Sequence, residues 1–239
     1  MLTPNLRMIK VLVWDLDGTL FVSPEAAHLM KQTFINMVAK QRGLSTRKAE
    51  GIFSLKTKNL NWSRATSRLT GQPERKVLEG LENTIDRSIH IKRELKVVGI
   101  LKKLGRFRHI VLTNASHENT ISTLRLLGFA GEGKGKVSPF EKIFSLDSVK
   151  SYKPRAKMFK QVVNYTHLPP NSHLMIGDSL TTDILPAKKL NFQTCLVGGY
   201  KTEADYCLGS IYDIPRLFSF YYQLRQSLKS FIKWLPINM

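Results

Sequence analysis

The sequence predicts an α/β fold, a parallel sheet with helices on both faces and an all-helical block inserted after the first strand. Three observations predict it. Short apolar, β-branched runs alternate with stretches of helical periodicity, the pattern of strand–helix units in a parallel sheet. From Ser45 to about Ile91 the pattern stays helical, with no convincing strand. The first strand then stops at two carboxylates one residue apart, Asp15 and Asp17, with Gly18 and Thr19 behind them.

That first strand is the apolar run from Met8 to Trp14. Alternate strand residues point the same way, so Asp15 and Asp17 can leave the strand end on one side. Two carboxylates that close stay ionised together only with a cation between them, and hard oxygen ligands suggest Mg²⁺. Gly18 allows a tight turn and leaves its N–H open to an anion. Ser23-Pro24-Glu25 next reads as an N-cap with proline in the first turn. It starts a helix over about 24–41, with Ala27, Met30, Phe34, Met37 and Val38 on one face and Gly43 closing it. Within the helical block Ser45 caps one helix and Asn61 or Ser63 another. Gln72-Pro73-Glu74 begins a third, striped by Val77, Leu78, Leu81 and Ile85.

A helix over about 93–104 ends at Gly105, and His109–Leu112 forms a short buried strand that delivers Thr113 and Asn114. In open α/β sheets ligands gather at such strand ends. Thr113 precedes a helix over 117–127, so its hydroxyl and nearby N–H groups can converge on a phosphate. Lys142–Leu146 reads as the next strand. Lys153 stands before Pro154 and a helix, where the dipole disfavours a cation unless anions face it. The strand His173–Ile176 ends in Gly177-Asp178, and Asp183 lies one loop on, before a helix over 184–190. Asp178 reads as a metal ligand and Asp183 as its support. Gln193–Val197 is a further strand, with Cys195 packed rather than reactive.

Composition bounds the class. The chain has 239 residues, 42% of them hydrophobic, enough for a real core. Its two cysteines, Cys195 and Cys207, match no metal-binding spacing and read as reduced thiols. No apolar run reaches bilayer length, and the N-terminal apolar segment runs straight into the Asp pair, so it is no signal peptide. The expectation is a cytoplasmic protein. The net charge of +19 is high, and between Lys40 and Arg108 there are 18 Lys or Arg against 6 Asp or Glu. These charges are scattered at helical spacing, as on a solvated surface. They also suit phosphorylated substrates, nucleic acid or an anionic membrane.

The motifs Asp15-Leu16-Asp17-Gly18-Thr19, Leu112-Thr113-Asn114, Lys153-Pro154 and Gly177-Asp178-Ser179-x-x-x-Asp183 follow in order, each beside the expected element. Together they resemble the haloacid dehalogenase-like (HAD) hydrolase superfamily over about residues 8–200. The resemblance implies a Rossmann-like core from residues 1–20 and 93–210 and a helical cap from 21–92 that selects the substrate. Residues 211–239 would be a C-terminal amphipathic basic tail. It implies Asp15 as nucleophile, forming an aspartyl-phosphate, and Asp17 as acid and then base. Mg²⁺ would rest on Asp15, the Asp17 carbonyl and Asp178, with Asp183 beside them. Thr113, Asn114, Lys153 and the Gly18 backbone would bind the substrate phosphate.

Presence of Asp17 favours a phosphatase over the dehalogenases, which lack that second acid. A phosphomutase shares the same motifs. Leu112–Ser116 with Leu124–Gly128 looks similar to the pyrimidine 5′-nucleotidase branch. Sugar phosphates and phosphoglycolate-type esters are equally admitted as the small phosphorylated substrate. The alternative is a binding or regulatory protein on the same scaffold, its basic surface on nucleic acid or lipid. Along residues 216–235 runs an apolar and basic stripe, suited to docking on the core or a partner, or to lying on a membrane.

Overall fold

In the computed structural model, which describes residues 5–58, 60–131 and 137–219, six parallel strands form one sheet. They are β1 (Val11–Trp14), β2 (Arg108–Leu112), β3 (Phe140–Phe144), β4 (His173–Gly177), β5 (Gln193–Val197) and β6 (Tyr206–Leu208). Their order is β3-β2-β1-β4-β5-β6, so the direction of winding reverses between β1 and β4. That reversal opens a crevice at the C-terminal ends of those two strands. Asp15 follows β1, and Asp178 follows β4.

The central strands β1, β4 and β5 are short runs buried on both faces, and the period of two sorts the core. Val11, Val13, Ile110, Leu112 and Met175 pack on one side against Met158, Phe159 and Val162 of α7 (Ala156–Thr166). Leu12, Trp14, Val111, Leu174 and Ile176 face the other way, toward α5 (Leu95–Lys103) and α6 (His117–Leu127). Each fully buried aliphatic or aromatic side chain contributes about 1.5–3 kcal/mol. Trp14 and His109 are paired in this layer: the Trp14 indole N–H donates to His109 Nδ1 at 3.1 Å, and His109 Nε2 meets the Leu104 carbonyl. Cys195 packs in the same layer, with its thiol pKa raised by burial.

Between β1 and α5 lies the helical insertion: α1 (Pro24–Arg42), α2 (Thr46–Thr57), α3 (Trp62–Thr70) and α4 (Glu74–Thr84). Local signals set its boundaries. The Ser23 hydroxyl accepts from the Ala26 N–H, and Gly43 ends α1 in the left-handed region. Asn61 caps α3 by accepting from the Arg64 N–H. The four helices bury their own cluster around Phe34, Ile35, Val38, Phe53, Ala65, Val77 and Leu81. A smaller cluster of Leu78, Leu146 and Tyr152 joins α4 to the core.

Several elements differ from the sequence expectation. The first strand is shorter than residues 8–14, because Asn5 accepts from the Arg7 N–H and turns residues 6–8 into a 3-10 helix. The third strand starts at Phe140 rather than Lys142, through an irregular register beside His109 and Ile110. The helix expected over 184–190 is a π turn, Leu180–Ile184, running into α8 (Leu185–Lys188). β6 carried no strand signal in its three half-buried residues. At the C-terminal side, Ile211–Asp213 is a 3-10 helix and residues 214–219 are helical. Ile214 and Phe218 are buried there, and the Phe218 ring lies 4.5 Å from that of Phe107. The rest of the amphipathic stripe, residues 220–239, lies outside the described residues.

Candidate active site

Asp15 is set by the sheet itself. Its N–H donates to the Ile176 carbonyl at 2.9 Å, which ties the end of β1 to β4. Its carboxylate is buried, and Oδ1 accepts from Lys153 Nζ at 2.5 Å. The same ammonium donates to Asp183 Oδ1 at 2.6 Å. Burial opposes the lysine's charge, but Asp15 and Asp183 outweigh burial and raise its pKa, so the ammonium stays protonated. Lys153 is thus the cation between two buried carboxylates.

Asp183 is fully buried, and Oδ2 accepts from the Ser179 N–H at 3.2 Å. Burial, countered by Lys153, holds its pKa up at about 6. Gly177 makes room for it: a Cβ there would lie 2.6 Å from Asp183 Cγ. Gly18, at φ +85°, leaves the same kind of room, since a Cβ would lie 2.3 Å from Asp178 Oδ2. Asp178 has one wet edge, yet partial withdrawal from water, and then the charges of Asp15 and Asp183, push its pKa to about 8. The crowding of like charges is the cause that survives that exposure.

One oxygen each of Asp15, Asp178 and Asp183 lie within 4.8 Å of one another. Three hard carboxylate donors this close, one of them short of a counter-cation, fit a divalent ion such as Mg²⁺. The Asp17 carboxylate is outside this group. Its partner is Arg87, whose Nη1 lies 3.4 Å from Oδ2, while Asp17 Oδ1 is buried without a hydrogen-bond partner. This corrects the expectation of one cation between Asp15 and Asp17. Each has a cation of its own, because the turn after β1 carries Asp17 up toward the insertion.

Burial, more than the opposing pull of Arg87, raises the Asp17 pKa from 3.8 to about 6. The folded state therefore favours the protonated form. The cost of its charge is absent below about pH 4, builds as pH rises from 4 to 6, and stays above that. Metal-free Asp17→Asn protein is expected to melt roughly 2–4 °C higher than wild type at pH 8. That gain fades as pH falls to 4. Thermal scans in chelator across this range check it, and a gain independent of pH contradicts it.

Arg87 and Glu82 were not anticipated. Both are buried, and Arg87 Nη2 donates to Glu82 Oε1 at 2.6 Å. The other Glu82 oxygen accepts from the Ser116 N–H at 2.7 Å and from Asn119 Nδ2 at 2.9 Å. A carboxylate of α4 thus sits on the N-terminus of α6, where the helix dipole favours an anion. This joins insertion to core beside Asp17. The signal was present: Glu82 stands four residues after Leu78 and three before Ile85, a charge on an apolar stripe.

Two further expectations need correction. The Gly18 N–H is not open to an anion, since it donates to the Phe21 carbonyl at 2.8 Å as the chain folds back after Asp17. The Asn114 amide does not reach toward a substrate. Its Oδ1 accepts from the Lys153 N–H at 2.7 Å and its Nδ2 donates to the Lys153 carbonyl at 3.0 Å. Asn114 therefore positions Lys153. Thr113 is where expected, buried, with its hydroxyl oxygen accepting from the Ala115 N–H at 3.0 Å. Asp15, Asp17, Thr113, Lys153 and Asp178 all line one cavity of about 560 Å³, roofed by the insertion.

A family model described as haloacid dehalogenase-like hydrolase matches residues 9–191. Solved structures share the architecture. A HAD phosphatase from Thermococcus onnurineus aligns with TM-score 0.60 and 19% identity, over 88% of this chain and 98% of its own. A predicted phosphoglycolate phosphatase from Haemophilus somnus aligns with TM-score 0.59 and 16% identity, over 90% and 100%. An L-2-haloacid dehalogenase from Xanthobacter autotrophicus, with chloropropionic acid covalently bound, aligns with TM-score 0.56 and 16% identity, over 88% and 98%. At these identities the likeness is one of fold. Comparison of the sequence with curated proteins gives no match. Among the described residues no helix is long and apolar enough to cross a membrane.

Proposed function

The chain belongs to the haloacid dehalogenase-like hydrolase family, and on that premise we propose that it is a Mg²⁺-dependent phosphomonoester hydrolase acting on a small phosphorylated metabolite. The observation that carries this reading is the division of labour between two carboxyl groups on one cavity. Asp15 is held against a buried ammonium, while Asp17 has an unpartnered Oδ1 and a more distant guanidinium.

In this reading the Asp15 carboxylate attacks phosphorus. An oxygen–phosphorus bond forms to Asp15 as the ester oxygen–phosphorus bond breaks. Asp17 gives its proton to the departing ester oxygen, and then takes one from the water that attacks the aspartyl-phosphate. Hydrolysis frees phosphate and returns Asp15. Lys153, fixed by Asn114 through its backbone and by Asp183 through its ammonium, offsets negative charge on the transferring group. The Thr113 hydroxyl orients its oxygens. Arg87 positions Asp17. Mg²⁺ on Asp15, Asp178 and Asp183 would supply further charge neutralisation. A carbon–halogen hydrolase expels halide, which needs no proton, so it gives Asp17 no task as an acid.

Phosphate release from a panel of phosphomonoesters is the test. It is expected to vanish in chelator and to return with Mg²⁺. A proton on Asp178 competes with the metal, so Mg²⁺ half-saturation is expected to rise as pH falls below about 8, by up to about tenfold per pH unit. Chloride release from 2-chloropropionate without phosphatase activity would overturn the proposal.

A further inference from the structure

Resting on the phosphatase reading, the shape and chemistry of the cavity narrow its substrate. About 560 Å³ lies within the range of roughly 300–1,000 Å³ that takes drug-sized ligands, far more than a two-carbon phosphate fills. The reacting carboxylates form its floor. The insertion forms its upper wall from Met30, Phe34, Leu60, Trp62, Leu78 and Leu81. Phe34 and Trp62 meet edge to face there, with ring centroids 6.4 Å apart and planes at 68°.

The side-chain oxygens on that wall are already engaged within the insertion. Asn61 Oδ1 accepts from the Arg64 N–H and the Ser63 hydroxyl. The Ser63 hydroxyl is 2.7 Å from Glu74 Oε1, and the Thr57 hydroxyl donates to the Ser54 carbonyl. A polyol entering here would give up water for groups already bonded elsewhere. Charge is equally sparse. Lys153 is held on the floor between Asp15 and Asp183, and Glu82 is paired with Arg87. Among the described lining residues that leaves Lys58, an exposed lysine after α2, to meet a second acidic group.

We infer that the leaving group of the substrate carries an aromatic ring laid against the wall of Met30, Phe34, Trp62, Leu78 and Leu81. For a polyol or a second acid group the wall offers few partners, the Asn61 amide N–H and the exposed Lys58. Aromatic pairs and sulfur–aromatic contacts favour such a ring over bare aliphatic surface. Two of the three ester classes that the sequence admits, sugar phosphates and phosphoglycolate-type acids, fit this wall poorly. A nucleotide fits through its base.

The probes are 2-(2-naphthyl)ethyl phosphonate and ethyl phosphonate, titrated calorimetrically into the full chain with Mg²⁺. The naphthyl compound is expected to bind about tenfold or more tightly. Trp62→Ala is expected to shrink that ratio at least about threefold, and Trp62→Phe to restore most of it. Equal binding of the two phosphonates overturns the inference, as does tighter binding of a phosphonate analogue of glycolate or glycerol phosphate. The matching phosphate esters separate this inference from the reaction it rests on, because the two-carbon spacer keeps the leaving alcohols similar. Phosphate release with no preference across the series leaves the hydrolase reading and sinks the aromatic one. No release from any ester, with the naphthyl phosphonate still tenfold tighter, does the reverse.

Discussion

Asp15→Asn is expected to lower phosphate release by about four orders of magnitude or more while leaving the protein folded. The carboxamide is nearly isosteric but a far poorer nucleophile, and it cannot carry the first covalent step. The fold should tolerate it. Lys153 keeps Asp183 as a counter-ion at 2.6 Å, and the Asp15 N–H remains bonded to the Ile176 carbonyl. The check is phosphate release at saturating Mg²⁺, beside thermal melting of both proteins. A variant that melts as wild type does and turns over at a wild-type rate would remove Asp15 from the chemistry. It would also break the proposed mechanism at its first step.

Lys153→Met is expected to be the most damaging single change to stability at the site. The ammonium bridges Asp15 and Asp183, and all three side chains are buried. Methionine fills similar volume and removes the charge, which leaves Asp15, Asp178 and Asp183 crowded with no cation among them. Breaking a buried pair from one side costs about 3–5 kcal/mol, which for a chain of this size is roughly 10 °C in melting temperature. The loss should be larger at pH 8 than at pH 5, since protons taken up by Asp178 and Asp183 relieve the repulsion at low pH. Mg²⁺ should raise the melting temperature of the variant more than that of wild type, because it restores positive charge between the same oxygens. Turnover should fall by about 10²–10³-fold even with the metal present. A variant as stable as wild type in chelator at pH 8 contradicts this account.

Much of the molecule was legible before any coordinates. The strands that carry the site are continuous apolar runs ended by polar residues. The helix starts at Ser23 and Asn61 are single capping residues whose effect is local, whereas Ser45 begins its helix without a side-chain cap bond. Chemistry of this kind is decided within three or four positions of chain, so it shows in the letters. The three-residue β6 did not show, because its pairing to β5 comes from the neighbour rather than from its own composition.

The site divides in the same way. Which residues gather was determined by sequence: Asp15, Asp17, Thr113, Lys153 and Asp178 all line one cavity, and Asp183 stands behind Lys153. What each one does with its hydrogen bonds was decided by tertiary structure. The Gly18 N–H is taken by Phe21, and the Asn114 amide is taken by the Lys153 backbone. Arg87, 70 positions after Asp17, becomes its counter-ion because Glu82 fastens α4 onto the start of α6. A motif specifies residue types along one segment. A partner drawn from another segment exists only once the sheet order and the packing of the insertion have brought the two within about 3 Å, where a hydrogen bond can form.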